Sequence, residues 1–554
     1  MILTNTNVMK KIFIALLLSG MQVAMAQHQH HEGAKSSDRP MPVTVKPGSS
    51  TPAKTQPAKA DTTRPMDHST RDHTMPGMKM NHSGHDNAMS ADASMGEMKT
   101  LNDGMTMDTS MGMTHSLSRY LSMNRNGSGT AWHPDNTPMY AYMRHPATPN
   151  GWSTMLHYAV YLRYTNQNIT NANGRGRASQ FGAPNWVMGM AQRKVGKRGL
   201  FQARAMLSLD PLTVTNGGYP LLFQTGETYK GQPLIDRQHP HDLVSELSVS
   251  YAHAFSKDID LYGYLGYPGE PAMGPPAFMH RISSFNNPDA PLGHHWQDAT
   301  HILFGVSTVG FRYKWIKLEG SAFTGSEPDE NRYNFDKPHI TSHSYRVSVN
   351  PSPSLAVQFS QGFLNSPGAA HHGEHVVRTT ASVLHSKGLG REGRYVTSSL
   401  VLGQNSHDGV NERAYLAESS LQIDRTAFYG RYENVTKSAQ ELALTDRIDP
   451  GFGSNDLKPG TLMVINNLTL GMNYRLAQHR NTDLVLGAQL TGALIGKALE
   501  PFYGKNPVSA QIYLRLSPTL MTMSSMMKSM SRHKHRTGAP SVQVHRTGAP
   551  TGHH

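Results

Sequence analysis

Alternation of apolar and polar side chains through the middle of the chain sets the first expectation. Trp152, Thr154, Leu156, Tyr158, Val160, Leu162 and Tyr164 interleave with Ser153, Met155, His157, Ala159, Tyr161 and Arg163. A strand points successive side chains to opposite faces, so one face here is apolar with aromatic ends and the other is mixed and polar. This is the pattern of a membrane-crossing strand of about 9–11 residues, apolar toward lipid and polar toward a lumen. Similar segments recur near 185–194, 200–209, 243–255, 259–267, 301–314, 315–325, 341–349, 354–364, 376–386, 394–404, 414–424, 426–437, 462–474, 482–494 and 507–517. Turn-forming clusters such as Lys194-Val195-Gly196-Lys197-Arg198-Gly199 and Asn350-Pro351-Ser352-Pro353 separate several of them. The expected fold class is all-β: an antiparallel transmembrane β-barrel of about 16 strands with disordered N- and C-terminal tails. A soluble sandwich or propeller also alternates, but it gives no reason for Tyr, Trp and Phe to collect at strand ends.

The flanks follow no such period. Lys10 and Lys11, the apolar run from Ile12 to Leu18, and Ala24-Met25-Ala26 read as a secretory signal cleaved before Gln27. No later stretch reaches the roughly 18 consecutive apolar residues of a spanning helix, so insertion is expected through strands, in the outer membrane. The organisation expected is a signal peptide at 1–26, a disordered Met/His-rich leader at 27–128, the barrel at 129–518 and a Met/His/basic tail at 519–554. Neither tail has a helical or strand period with which to bury enough surface to offset its ordering entropy.

Composition then changes the picture. Among 554 residues there are 32 Met and 31 His but no Cys. That excludes a disulfide scaffold, Cys-based zinc sites, iron–sulfur clusters and thiol nucleophiles. The net charge of +13 does not imply nucleic-acid binding in an exported chain. The leader carries Met66, His68, His73, Met75, Met78, Met80, His82, His85, Met105, Met107, Met111, Met113 and His115. Thioether sulfur is a soft neutral donor that selects Cu(I) or Ag(I), and imidazole adds nitrogen for Cu(II) or Zn(II). Close Met-x-Met spacing lets two sulfurs reach one ion from an extended chain. The expected ligand is copper, with silver or zinc as related candidates and no organic cofactor. Expected partners are metal ions, outer-membrane lipid and periplasmic metal carriers.

In layout (signal, Met/His-rich leader, barrel) the chain resembles the outer-membrane copper-resistance B proteins. The resemblance covers that arrangement and the composition of roughly the first quarter of the chain, and it implies copper sequestration or passage at the outer membrane. The barrel blocks also look like those of a poorly characterised exported family, which implies no function.

Two stretches break the alternation. One runs from Gly217 to His239-Pro240-His241-Asp242, with Glu246 following; the other runs from Gly269 through His280 and Arg281 to His294, His295, Asp298 and His301. Pro240 stiffens the backbone between two imidazoles. His239, His241, Asp242, His294 and His295 are therefore candidate ligands for Zn(II) or Cu(II), provided the two loops meet. The alternative is a buried plug in which Arg237 and Arg281 pair with acids. A further His group, His371-His372-Gly373-Glu374-His375, falls in an expected external loop. Function classes in play are a metal-handling barrel, a general porin or ligand channel with incidental tails, and a barrel hydrolase using His241, Asp242 and Ser245 or Ser248. Enzymatic activity is not the expectation, since no nucleophile–base geometry can be read from these spacings.

Overall fold

The computed structural model describes residues 116–144, 151–365, 367–368, 373–445 and 457–522. Sixteen strands form the wall: β1 (Ser153–Gln167), β2 (Asn185–Val195), β3 (Gly199–Leu207), β4 (Val244–Ala254), β5 (Ile259–Gly266), β6 (Val306–Tyr313), β7 (Ile316–Thr324), β8 (Ile340–Ser352), β9 (Leu355–Asn365), β10 (His375–Gly388), β11 (Arg394–His407), β12 (Val410–Ile423), β13 (Thr426–Ser438), β14 (Leu462–His479), β15 (Thr482–Ile495) and β16 (Val508–Pro518). Each pairs antiparallel with its successor, and β16 returns to β1 with Val160 opposite Leu516 and Asn166 opposite Ala510. The sheet is a closed transmembrane barrel with no free edge for another chain to pair with.

Burial shows why the alternation was so regular. Along β7 Lys317, Glu319 and Ser321 face inward and are buried, while Leu318 faces outward. Outward positions elsewhere hold Leu400, Leu470, Leu490 and Leu494, the last 64% exposed. In water such a face would be a large liability; against lipid it is matched. Tyr251, Phe255, Tyr313 and Trp315 cluster near the tight turns at one end, as an interfacial aromatic girdle does.

The two ends differ. At one end, links of a few residues join β2 to β3, β4 to β5, β6 to β7 and β8 to β9. At the other, long connections span 208–243, 267–305 and 325–339. That end still has one tight link, Asp408-Gly409, both residues at positive φ as a two-residue hairpin requires.

Three segments occupy the lumen: 116–141, 209–243 and 267–305. The last is buried almost throughout, and Trp296, Arg281, Met273 and Leu292 are under 2% exposed. Residues 116–128, which composition alone places in the leader, thus lie inside the barrel. Arg125 pairs with Asp135 at 2.5 Å and Lys317 of the wall donates to the Thr130 carbonyl. At the foot of the seam, Tyr142–Arg144 pairs with the start of β1, and Tyr140 bridges to Leu520. The chain therefore enters and leaves the wall at the tight-turn end. One strand boundary also differs from expectation. The segment 301–314 becomes strand only at Val306, because Leu303 exchanges two 2.9 Å backbone hydrogen bonds with Gly269 inside the lumen. The apolar residues Ile302, Leu303 and Phe304 read as wall when they are packing for the inner segment.

Candidate functional site

The two irregular loops do meet. The 208–243 connection carries His239 and His241 to the short helix His294–Gln297 and the turn Ala299–His301 of the other loop. Ring centroids of His239 and His295 are 5.8 Å apart, His295 and His294 5.2 Å, His294 and His301 5.2 Å, and His301 and His241 5.7 Å. Pro240 joins the two ends of this file through the backbone, so five imidazoles form a ring.

Each Nδ1 has an oxygen partner. His294 meets Asp298 Oδ1 at 2.6 Å, His241 meets Asp210 at 2.9 Å, His295 meets Glu327 at 3.1 Å and His239 meets Glu227 at 3.1 Å. His301 meets the Asp298 carbonyl at 2.9 Å. The Nε2 atoms of His295 and His301 are buried with no hydrogen-bond partner among the described residues. Burial first, then neighbouring imidazoles, hold His239 and His295 well below the ordinary imidazole range and push His301 down to about 3. His239, His295 and His301 are thus neutral at pH 7; the His295 Nδ1 N–H donates to Glu327, and that of His239 to the Pro240 carbonyl at 3.2 Å.

Asp298 organises one side of the ring. Besides His294 and His301 it accepts from Arg281 Nη1 at 2.7 Å, and Arg281 Nε reaches Glu418 of β12 at 2.8 Å. Burial opposes ionisation of Asp298, but Arg281 and then His294 outweigh it and hold the carboxyl below the usual range. The expected Arg281–acid pairing is present, whereas Arg237 donates to Gln180 and the Gly218 carbonyl instead of to an acid. Asp242 faces Arg332 at 3.4 Å, and burial followed by the charge of Asp336 pushes its carboxyl up to about 8. Ser245 donates to the Asp242 carbonyl and Ser248 to Glu246, so both hydroxyls are committed to oxygen acceptors.

Gly226 permits the position of His295. Its φ is +134°, and a Cβ there would sit 2.3 Å from the imidazole. Gly226→Ala is expected to displace that ring and cost about 1–3 kcal/mol, read as a lower urea midpoint of the detergent-solubilised protein.

Of the other candidates, all thirteen leader donors from Met66 to His115 lie outside the described residues, as do His371 and His372. Glu374, His407 and Asp408 bring ligand atoms within 4.8 Å of one another at the long-loop end, the one such trio among the described residues. Sequence reasoning missed Asp210, Glu227 and Glu327, the acids that orient three imidazoles. Their distance along the chain left no local signal.

These features define a transmembrane β-barrel whose lumen holds its own loops, with an imidazole ring among them. The sequence matches no protein-family model and no curated protein. Solved structures similar to it include an anion-selective porin from Comamonas acidovorans, at 11% identity over 66% of this chain and 99% of that one, TM-score 0.38. Others are a loop-deleted OmpT of Vibrio cholerae (10% identity, 66% and 99%, TM-score 0.37) and OpdQ of Pseudomonas aeruginosa (7%, 66% and 97%, TM-score 0.34).

Proposed function

We propose that this is an outer-membrane barrel that binds copper-like ions for metal tolerance or trafficking. The observation that carries the reading is the ring of five imidazoles, each with Nδ1 engaged by an oxygen. Metal-bound histidines are held in the same way, one ring nitrogen donating to a carboxylate or carbonyl while the other faces the ion. The two partnerless Nε2 atoms add weight, since a buried polar atom left unsatisfied is costly and rare. Centroid spacings above 5 Å make the ring a file of stations more than a closed cage, which suits handing an ion along. Imidazole suits Cu(II) or Zn(II), and the tail thioethers suit Cu(I) or Ag(I). In the usual orientation of such barrels the tight turns face the periplasm, so the tails would meet metal carriers there.

The test is Cu(II) binding to purified full-length protein, followed by electron paramagnetic resonance against a competing chelator. His294→Ala/His295→Ala is expected to lose the most tightly held ion and its nitrogen hyperfine pattern. Unchanged stoichiometry and spectra would sink the reading. The channel alternative would then stand, favoured by a cavity of about 940 Å³ at the tight-turn end, lined by Arg425, Arg475 and Arg480 with Asp424 and Asp483.

A further inference from the structure

Between the imidazole ring and the tight-turn end lies a cavity of about 70 Å³ with an unusual lining. Met123, Met139, Met155, Met188, Met190 and Met279 contribute to it. Only ten methionines lie between residues 129 and 518, and five of them line this one space. Apolar packing alone does not explain the choice. Leu, Ile and Val fill cores at least as well, yet Ile282 is the single branched aliphatic residue in the lining. Three imidazoles join the sulfurs: His133, His157 and His280. No Asp, Glu, Lys or Arg lines the cavity, so it brings no formal charge to a hard cation or an anion.

A second, independent observation concerns the tails. Met123 stands near the start of the described chain and Met521 near its end, and both pack in the same cluster with Met155 and Met190. The Met521 amide donates to the Met139 carbonyl at 2.8 Å. Met123 and Met521, from opposite ends of the described chain, thus meet beside the methionine-lined cavity.

We propose that this cavity is a binding site for a soft monovalent ion, Cu(I) or Ag(I), held by methionine sulfurs with imidazole support. It shares with the proposed function the premise that the barrel handles metal, but it uses none of the same residues.

Trp186 lines the cavity and provides the readout. Silver nitrate is titrated into the purified full-length protein while tryptophan fluorescence is followed, and Trp186→Phe identifies the share due to that residue. Met188→Leu/Met190→Leu/Met279→Leu keeps volume and apolarity, so the fold should survive, as heat-modifiable gel mobility will show. Quenching of Trp186 is expected in the native chain, with the midpoint moved about tenfold or more to higher Ag(I) in the triple variant. Should the triple variant fail to fold, Met279→Leu alone, on an inner loop instead of the wall, carries the same test with a smaller shift. No Trp186 response, or an equal response in the methionine variant, overturns the proposal. His294→Ala/His295→Ala separates the two sites. A retained Trp186 response with unchanged Cu(II) binding overturns the imidazole reading alone; a lost Trp186 response overturns the independence of the cavity.

Discussion

Replacing Arg281 with methionine is expected to destabilise the folded protein by about 3–5 kcal/mol, the usual cost of removing one partner from a buried ion pair. The guanidinium is about 1% exposed and meets Asp298 at 2.7 Å, Glu418 at 2.8 Å and the Pro276 carbonyl at 3.1 Å. Without it two carboxylates remain in the lumen, and only Glu418 keeps a second guanidinium, Arg431 at 3.0 Å. Urea unfolding in detergent, read by gel mobility and tryptophan emission, measures the loss. Adding Asp298→Asn and Glu418→Gln should recover much of it, because the stranded charges go; no recovery would mean that the arginine acts through packing. Asp298 has a folded-state pKa below its unfolded value near ~4, so this stabilisation is complete above that pH. It fades only as acid carries the pH down toward the depressed value.

The second large effect concerns capacity. Removing residues 27–115 and 523–554 while keeping the export signal deletes 16 of the chain's 32 methionines. On the metal-handling reading, Ag(I) or Cu(I) bound per chain at saturation should fall by more than half. The barrel should remain folded, because all sixteen wall strands, Ser153 to Pro518, are retained. Affinity per lost ion should be modest, since nothing preorganises ligands in tracts without a period. Atomic absorption after dialysis against graded chelator measures both. Capacity unchanged by the deletion would make the tails incidental and weaken the copper assignment at its root.

The wall was legible because lipid imposes one rule on every strand. Each expected segment, from the Trp152–Tyr164 alternation to Pro507–Ser517, corresponds to one of the sixteen strands. The 301–314 start failed for a physical reason: Ile302, Leu303 and Phe304 are apolar whether they face lipid or pack inside. Loop contents were half legible. His239-Pro240-His241-Asp242 and His294-His295 stood out as dense polar runs, and the fold brings their imidazoles together. Asp242 turns to Arg332, and the acids that aim the rings come from far along the chain, where only three-dimensional closure could reveal them. The barrel methionines drew no notice, since a buried methionine in an alternating strand looks like any other inward apolar residue.

One feature bears on how anything could cross. Asp289 of the inner loop holds Arg163 of β1 at 2.8 Å and Gln489 of β15 at 2.8 Å. Arg346 of β8 donates to Gly274, Lys437 of β13 to Phe223 and Asn473 of β14 to Asn286. Stitched around so much of the circumference, the inner segments cannot swing aside like a door without parting many seams at once. On the metal-handling reading, ions would percolate one by one through small shifts of side chains in a lattice that stays in place.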